Sequence, residues 1–449
     1  MTPLRANTAM HLPVPLTVLA IGLSGVVSAA VAETPRPNVI VILADDFGYE
    51  CVGANGGGYA TPALDRLAAG GARFTACHVQ PLCTPSRVEL LTGKSNVRNY
   101  VDFGVLPAGE TTFAHLVRDA GYATAVAGKW QLGADPHAPQ MFGFDAACTW
   151  NHTRRAPRYA NPGLDYDGIP RDFSAGEYGP DVVSDFALAF IERHRDRPFL
   201  LYYPLMLTHG PFQPTPHDPD WDPAAEGENV NDRPRHFPGM VAHLDRLVGR
   251  LVDRLETLGL RERTLILFMG DNGTSPSITG SLDGRPFVGG KGTTTHRGTH
   301  VPLIANWPGT IRGPAVHDDL VAAVDLLPTI CAAAGVPPPA GGDGCSLMPA
   351  LTGQPHAPRE WIYAWYRPRL GREPREYAFD HRHKLYRDGR FYDLVADPDE
   401  RAPLAERTLT TAQQADRTKL AAVLARHADA RPADLRALDA RLPAAAIRE

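Results

Sequence analysis

The apolar residues of this 449-residue chain fall into short runs of two kinds, separated by polar turns. The first kind is continuous. Asn38-Val39-Ile40-Val41-Ile42-Leu43-Ala44 is an unbroken, mostly β-branched run that ends at Asp45-Asp46, the pattern of a strand buried on both faces. Ala123 to Ala127, Phe199 to Tyr203 and Thr264 to Met269 repeat it, and each leads into polar residues: Gly128-Lys129-Trp130, Thr208-His209 and Gly270-Asp271-Asn272. The second kind has helical spacing: Thr61 to Leu67 with a proline at its start, Thr111 to Ala120, Asp181 to Arg193, and the amphipathic stretch Gly239 to Leu258. Strand and helix alternate. That order predicts an α/β fold, a large and mainly parallel mixed sheet sandwiched by helices, with a ligand site beyond the C-terminal ends of its strands.

The alternation fades after Leu351-Thr352-Gly353. Trp361 to Trp365, His383 to Tyr386 and Phe391 to Leu394, with Asp388-Gly389 between the last two, predict a smaller antiparallel sheet with a tight hairpin. Thr411 to Ala425 predicts a helix beside it, and the last residues, rich in Ala and Arg, are expected to fray. The N-terminus reads as a leader: Arg5, an apolar stretch from His11 to Val27, then Ala30-Val31-Ala32 before Glu33. The expected organisation is therefore a signal peptide over 1–32, a catalytic α/β domain over 33–353, and an antiparallel subdomain with a helical tail over 354–449. A cleaved leader implies a periplasmic or secreted protein with no membrane anchor afterwards.

Composition narrows the function classes. Hydrophobic content of 43% and charged content of 21% are those of an ordinary globular protein. A net charge of -5 argues against a nucleic-acid scaffold or a polybasic membrane patch, so an anionic substrate must be drawn by local charge in a cleft. Six cysteines, at 51, 77, 83, 148, 331 and 345, would enter an oxidising compartment, and Cys331 with Cys345, flanking a Pro/Gly-rich loop, is the best-placed pair for a bridge.

The chemistry lies past the strand ends. Asp45-Asp46 and Asp271-Asn272 can converge through oxygen ligands on one hard cation, Ca²⁺ before Mg²⁺. Lys129, His209 and Lys291 each follow a short apolar or glycine-rich segment and can point into the same cleft. The most distinctive run is Cys83-Thr84-Pro85-Ser86-Arg87 with Val88-Glu89-Leu90-Leu91-Thr92-Gly93-Lys94, in which no second cysteine follows at dithiol or zinc spacing.

This run resembles the formylglycine signature of the sulfatases, Cys-x-Pro-x-Arg followed by Leu-Thr-Gly. The similarity extends over roughly residues 36 to 400, to the late Phe391-Tyr392-Asp393-Leu394 and Asp397-Pro398-Asp399-Glu400. It implies an alkaline-phosphatase-like fold and a metal held by Asp45, Asp46, Asp271, Asn272 and the residue at 83. It also implies oxidation of Cys83 to an aldehyde by a formylglycine-generating or sulfatase-maturing enzyme. The aldehyde hydrate attacks sulfur, Arg87 supports it, Lys129 and Lys291 grip the sulfate, and His209 donates to the leaving alcohol. The implied substrate is a small-molecule or carbohydrate sulfate ester, a sulfated sugar or an aryl sulfate.

Two departures from the family pattern stand out. Gly-Lys-Trp-His reads Gly128-Lys129-Trp130-Gln131, which replaces an imidazole with an amide that cannot take a proton near neutral pH. The segment after Lys291 reads His296-Arg297-Gly298-Thr299-His300-Val301-Pro302. One expectation is that His300, or in second place His296, supplies the base that Gln131 cannot; the other is that the two changes are unrelated. Trp150-Asn151-His152, Pro211 to Pro238 and Tyr363 to Tyr377 are the candidate rim. The rival readings are a phosphomonoester or phosphonate monoester hydrolase of the same superfamily, and a secreted binding protein that keeps Cys83 as a thiol.

Overall fold

The computed structural model describes residues 36–440 apart from 152–155, 228 and 230, together with positions 1–4, 9–10 and 12–13. Most of the expected leader, His152 and the extreme C-terminus lie outside the described residues. The chain divides into two units, Met1–Pro35 and Arg36–Glu449, and the second contains every element described below.

The first twelve strands are β1 (Asn38–Ala44), β2 (Ala72–His78), β3 (Ala123–Trp130), β4 (Ala146–Asn151), β5 (Gly163–Tyr166), β6 (Ile169–Asp172), β7 (Phe199–Pro204), β8 (Thr264–Gly270), β9 (Thr279–Leu282), β10 (Arg285–Val288), β11 (Leu303–Asn306) and β12 (Ala315–Ala322). Ten of them form one sheet in the order β12-β2-β11-β8-β1-β7-β3-β4-β5-β6, and β9 and β10 pair as a separate ribbon. The central five, β8-β1-β7-β3-β4, are mutually parallel. The antiparallel pairings come at the flanks, through β11 on one side and β5 and β6 on the other.

The expected α/β architecture is present, and the sequence explains why it is two-faced. Val39, Val41 and Leu43 of β1 enter one core, while Ile40, Ile42 and Ala44 enter the other. Helices Cys83–Thr92, Phe113–Asp119 and Leu326–Ala334 close the first face; Pro62–Ala69, Gly179–Arg193 and Phe237–Thr257 close the second. A strand covered on both sides cannot alternate with polar residues, hence its unbroken apolar run.

Four further strands, β13 (Ile362–Tyr366), β14 (Arg375–Phe379), β15 (His383–Tyr386) and β16 (Phe391–Asp393), form the smaller antiparallel sheet, with helix Thr411–Arg426 against it through Leu420, Val423 and Leu424. The hairpin stands where Asp388-Gly389 predicts it, with Gly389 at φ 92° and its amide donating to the Tyr386 carbonyl at 3.0 Å. This sheet lies in the same compact unit as the large one.

One expectation is corrected, and one local structure is new. All six cysteines are free: Cys331 is buried in its helix and Cys345 is exposed on a loop, so the expected Cys331–Cys345 bridge is not formed. Cys83-Thr84-Pro85-Ser86, which by itself reads as an exposed turn, begins a helix in which all ten residues are buried. With no solvent-facing side there is no amphipathic stripe for a periodicity argument to find. Pro85 is tolerated because the first turn has amides without intrahelical partners.

One buried polar contact ties two helices of the second face together. Asp245 of Phe237–Thr257 accepts from the amides of Ala63 and Leu64, both at 2.9 Å, capping Pro62–Ala69 from a distance. Asp245→Ala leaves both amides without an acceptor and is expected to lower the unfolding free energy by about 2–4 kcal/mol, read as a drop in the urea midpoint with unchanged slope.

Candidate active site

The expected metal and sulfate residues converge at the C-terminal ends of the parallel strands. Asp45 and Asp46 follow β1, Asp271 and Asn272 follow β8, and Lys129 sits near the end of β3. His209 follows β7 on a segment that runs beside β1, with Asp45 N donating to Leu207 O at 2.9 Å and Thr208 N to Asp45 O at 2.7 Å. Gly128, at φ 130°, lets β3 pass the Pro204 carbonyl, which a Cβ there would approach to 1.9 Å; no other residue could deliver Lys129 along that path. Asp46 itself takes φ 57°, a conformation unusual for a residue with a Cβ; its amide donates to Asp271 Oδ1 at 3.0 Å and its carboxylate accepts from Asn272 Nδ2.

The side chains form one buried network. Lys129 Nζ lies 2.9 and 2.7 Å from the two Asp45 oxygens. Arg87 donates to Asp271 Oδ2 through Nε at 3.0 Å and Nη2 at 2.8 Å, and to the Lys129 carbonyl at 3.1 Å. Lys291 Nζ is 2.7 Å from Asp46 Oδ2, and Asn272 Nδ2 donates to Asp46 Oδ1 at 2.9 Å. His209 Nε2 is 3.9 Å from Asp46 Oδ2. Cys83, 1% exposed at the start of its helix, donates from Sγ to Gln131 Oε1 at 3.2 Å.

Three carboxylates thus meet three permanent cations, Arg87, Lys129 and Lys291. Burial alone would raise the Asp45 carboxyl, but Lys129, with His209, Arg87 and Lys291, holds it well below the usual range. Against the same pull of burial, Lys291 and then His209 hold Asp46 below its ordinary value. Burial, then the neighbouring Asp45, pushes Asp271 up to about 7. Burial pushes the His209 ring down to about 3 and the Cys83 thiol upward. A thiol held in its neutral form is a poor nucleophile as it stands.

The donor set fits a hard divalent cation. Among the described residues Asn272 Oδ1 is buried with no hydrogen-bond partner, and ligand atoms of Asp45, Asp46 and His209, and separately of Asp45, Cys83 and Asp271, lie within 4.8 Å of one another. A dication among these charges would leave a positive surplus facing residue 83.

The smaller sheet holds the Lys291 loop. Tyr386 Oη bonds Thr294 Oγ1 at 2.8 Å, Lys384 pairs with Glu400 at 2.7 Å, and Asp399 pairs with Arg297. The late Asp397-Pro398-Asp399-Glu400 segment is in this way a clamp on the loop rather than part of the site.

His300 and His296 are not brought to Cys83. His300 Nε2 donates to the Thr75 carbonyl at 2.9 Å, and its ring stacks on Tyr49 (4.1 Å) and His78 (5.0 Å). His296 packs 4.9 Å from His78. Backbone pairing of Thr299 and His300 with the end of β2 turns both rings away, so the expectation that either replaces the missing imidazole is not supported by the geometry. Arg158 was not legible. Its Nη1 lies 3.1 Å from His209 Nδ1 and its guanidinium 4.0 Å over the Trp150 ring. It stands in a polar stretch without periodicity, and only the rim assignment of nearby Trp150 hinted at it.

A doubly covered parallel sheet with this charge cluster at its strand ends defines a hydrolase of anionic esters. The sulfatase family model matches residues 37–336, and a model for the C-terminal part of N-sulphoglucosamine sulphohydrolase matches 291–425. Human arylsulfatase A is 35% identical over 379 residues, covering 75% of this chain and 72% of its own. Canine N-acetylgalactosamine-6-sulfatase is 32% identical over 393 residues, covering 79% and 72%. The crystal structure of Ps i-CgsB in complex with k-i-k-neocarrahexaose superposes with a TM-score of 0.74 at 26% identity, covering 90% of this chain and 98% of that one. The chain belongs to the sulfatase family and is a sulfuric ester hydrolase.

The His78–His296–His300 group gives a pH signature. Burial pushes His296 down to about 3, His300 down to about 4 and His78 well below its ordinary 6.5. The folded chain keeps these rings neutral, whereas the unfolded chain protonates them below about pH 6.5, so stability is complete above that pH and falls as pH drops toward 4. Each ring contributes up to about 1.4 kcal/mol per pH unit in that window. His300→Phe, which keeps the stack on Tyr49, should lose less stability than the wild type between pH 7 and 5 in urea titrations; parallel profiles would contradict this.

Proposed function

We propose that this sulfatase acts on a sulfated sugar through an aldehyde at position 83 and a divalent cation, Ca²⁺ before Mg²⁺, held by Asp45, Asp46, Asp271 and Asn272. The observation that carries the reading is the unpartnered Asn272 Oδ1 among three buried carboxylates, beside a cysteine at the start of a fully buried helix. The sugar assignment is supported by the N-acetylgalactosamine-6-sulfatase relative and by the neocarrahexaose held in Ps i-CgsB.

The cation would supply positive charge against the ester oxygens. The aldehyde hydrate would supply one hydroxyl to attack sulfur, its proton making good the one His209 gives to the leaving alcohol, and a second whose O–H bond pair closes the carbonyl as the C–O bond to the sulfate breaks, its proton leaving with hydrogen sulfate. The chain's own groups do the rest. Lys129 and Lys291, which pair with Asp45 and Asp46, would be free to contact the sulfate oxygens once those carboxylates held a cation. Arg87 stays on Asp271 and keeps that carboxylate aimed. As the S–O bond breaks, its electron pair goes to the alcohol oxygen, and His209 Nε2–H donates to it. Gln131 hydrogen-bonds the residue at 83 and orients it without exchanging a proton.

Cys83 is 1% exposed, so a formylglycine-generating enzyme must reach it before folding closes over the helix. With the 1–32 leader, the protein acts in the periplasm or outside the cell.

Protein from a host with that enzyme should show an aldehyde at residue 83 by peptide mass analysis and release sulfate from a sulfated monosaccharide panel faster than phosphate from the matching phosphate esters. Chelation should abolish turnover, with Ca²⁺ restoring it better than Mg²⁺. Cys83→Ser should lower kcat by at least about 10³-fold. A thiol retained at 83 together with full turnover would overturn the reading.

A further inference from the structure

We propose that Arg158 is a positioning residue that selects the tautomer of His209. This rests on the reading of His209 as the donor to the leaving oxygen. Among the described residues, two groups compete for His209 Nδ1. The Gly210 carbonyl oxygen lies 2.5 Å away, and Arg158 Nη1 lies 3.1 Å away. A carbonyl can only accept, so it favours the ring with hydrogen on Nδ1. A guanidinium can only donate, so it favours the ring with a lone pair on Nδ1 and hydrogen on Nε2. Nε2 is the nitrogen that faces Asp46 Oδ2 at 3.9 Å and hence the site. In one tautomer His209 offers a donor to the substrate; in the other it offers only a lone pair.

The carbonyl is the nearer of the two, and what Arg158 sets against it is a full charge held in a fixed position. A charged donor makes the stronger hydrogen bond. Arg158 is 8% exposed and its guanidinium lies 4.0 Å over Trp150, which is 4% exposed and anchored by its Nε1 donating to the Ala156 carbonyl at 2.9 Å. The next residue, Tyr159, sends its hydroxyl to the carbonyls of Met206 and His209. Adjacent side chains thus hold the ring and the backbone of one histidine.

The consequence is specific to the leaving group. An activated aryl sulfate departs as a stable phenoxide and needs little help at oxygen, whereas a sugar or alkyl sulfate departs as a strongly basic alkoxide and needs a donor. Without Arg158 the ring relaxes to the tautomer that satisfies Gly210, and the donor is lost for the substrates that require it.

The experiment compares wild type and Arg158→Met on sulfate esters ranging from 4-nitrophenyl through phenyl to a monosaccharide sulfate, with ¹⁵N NMR of histidine-labelled protein. Wild-type His209 should carry its hydrogen on Nε2, and Arg158→Met should move it to Nδ1. The variant should keep kcat on 4-nitrophenyl sulfate within about 3-fold and lose about 10- to 100-fold on the sugar sulfate, with KM little changed. Trp150→Leu, which removes the platform, should repeat the pattern in weaker form. A wild-type ring with hydrogen on Nδ1 would overturn the proposal, and that reading needs neither turnover nor a folded variant. So would an equal loss across the series, or a rise in KM alone, which would make Arg158 a substrate ligand. Absence of sulfate release from every ester by the wild type would instead defeat the reading of function and leave the tautomer to decide this one.

Discussion

Asp45, Asp46 and Asp271 meet within one buried cluster, and the molecule is arranged around the need to make three carboxylates tolerable away from water. An isolated buried charge would cost many kcal/mol, and removing one partner of a buried pair typically costs about 3–5 kcal/mol. Here every carboxylate has a cation on it: Lys129 on Asp45, Lys291 on Asp46, Arg87 on Asp271. Those cations come from a strand, a glycine-rich loop and a buried helix, so the cluster forms only when all three elements are in place. The same balance leaves room for function. A dication entering through Asn272 Oδ1 would compete for the carboxylates and free the two lysines for an anionic ester.

The sheet makes this convergence possible. Parallel strands β1, β3, β7 and β8 end on the same side, so residues far apart in sequence, from Asp45 to Asn272, are delivered to one edge. The antiparallel C-terminal sheet contributes by fixing a loop: Tyr386, Lys384 and Glu400 hold Thr294 and its neighbours, which sets where Lys291 can reach. The part of the chain that looks like an appendage is a support for the Lys291 loop.

How much could be read without coordinates follows from what each residue needs from its neighbours. The β1 run and its Asp-Asp terminus were legible because a two-face-buried strand cannot hide its composition. Lys129, His209 and Asp271-Asn272 were legible by their place just past the apolar runs of such strands. The helix Cys83–Thr92 was legible as a motif but not as a helix, since a segment buried all round has no periodic contrast. The histidines were misleading. His296 and His300 lie close in sequence to Lys291, yet the pairing of Thr299 and His300 with β2 carries them into a stack with Tyr49 and His78.

The sequence by itself determined the α/β class, the two sheets, the hairpin at Asp388-Gly389 and the residue types of the charge cluster, because these depend on local composition and on short runs with chemical meaning. Only the tertiary structure decided which cation sits on which carboxylate, that Cys331 and Cys345 stay apart, that His300 leaves Gln131 unassisted, and that Arg158 reaches His209 across a Trp150 platform. Those are contacts between elements 50 or more residues apart for the most part, as Arg158 and His209 are at a separation of 51. Their partners are chosen by the geometry of packed elements, on which no local pattern bears.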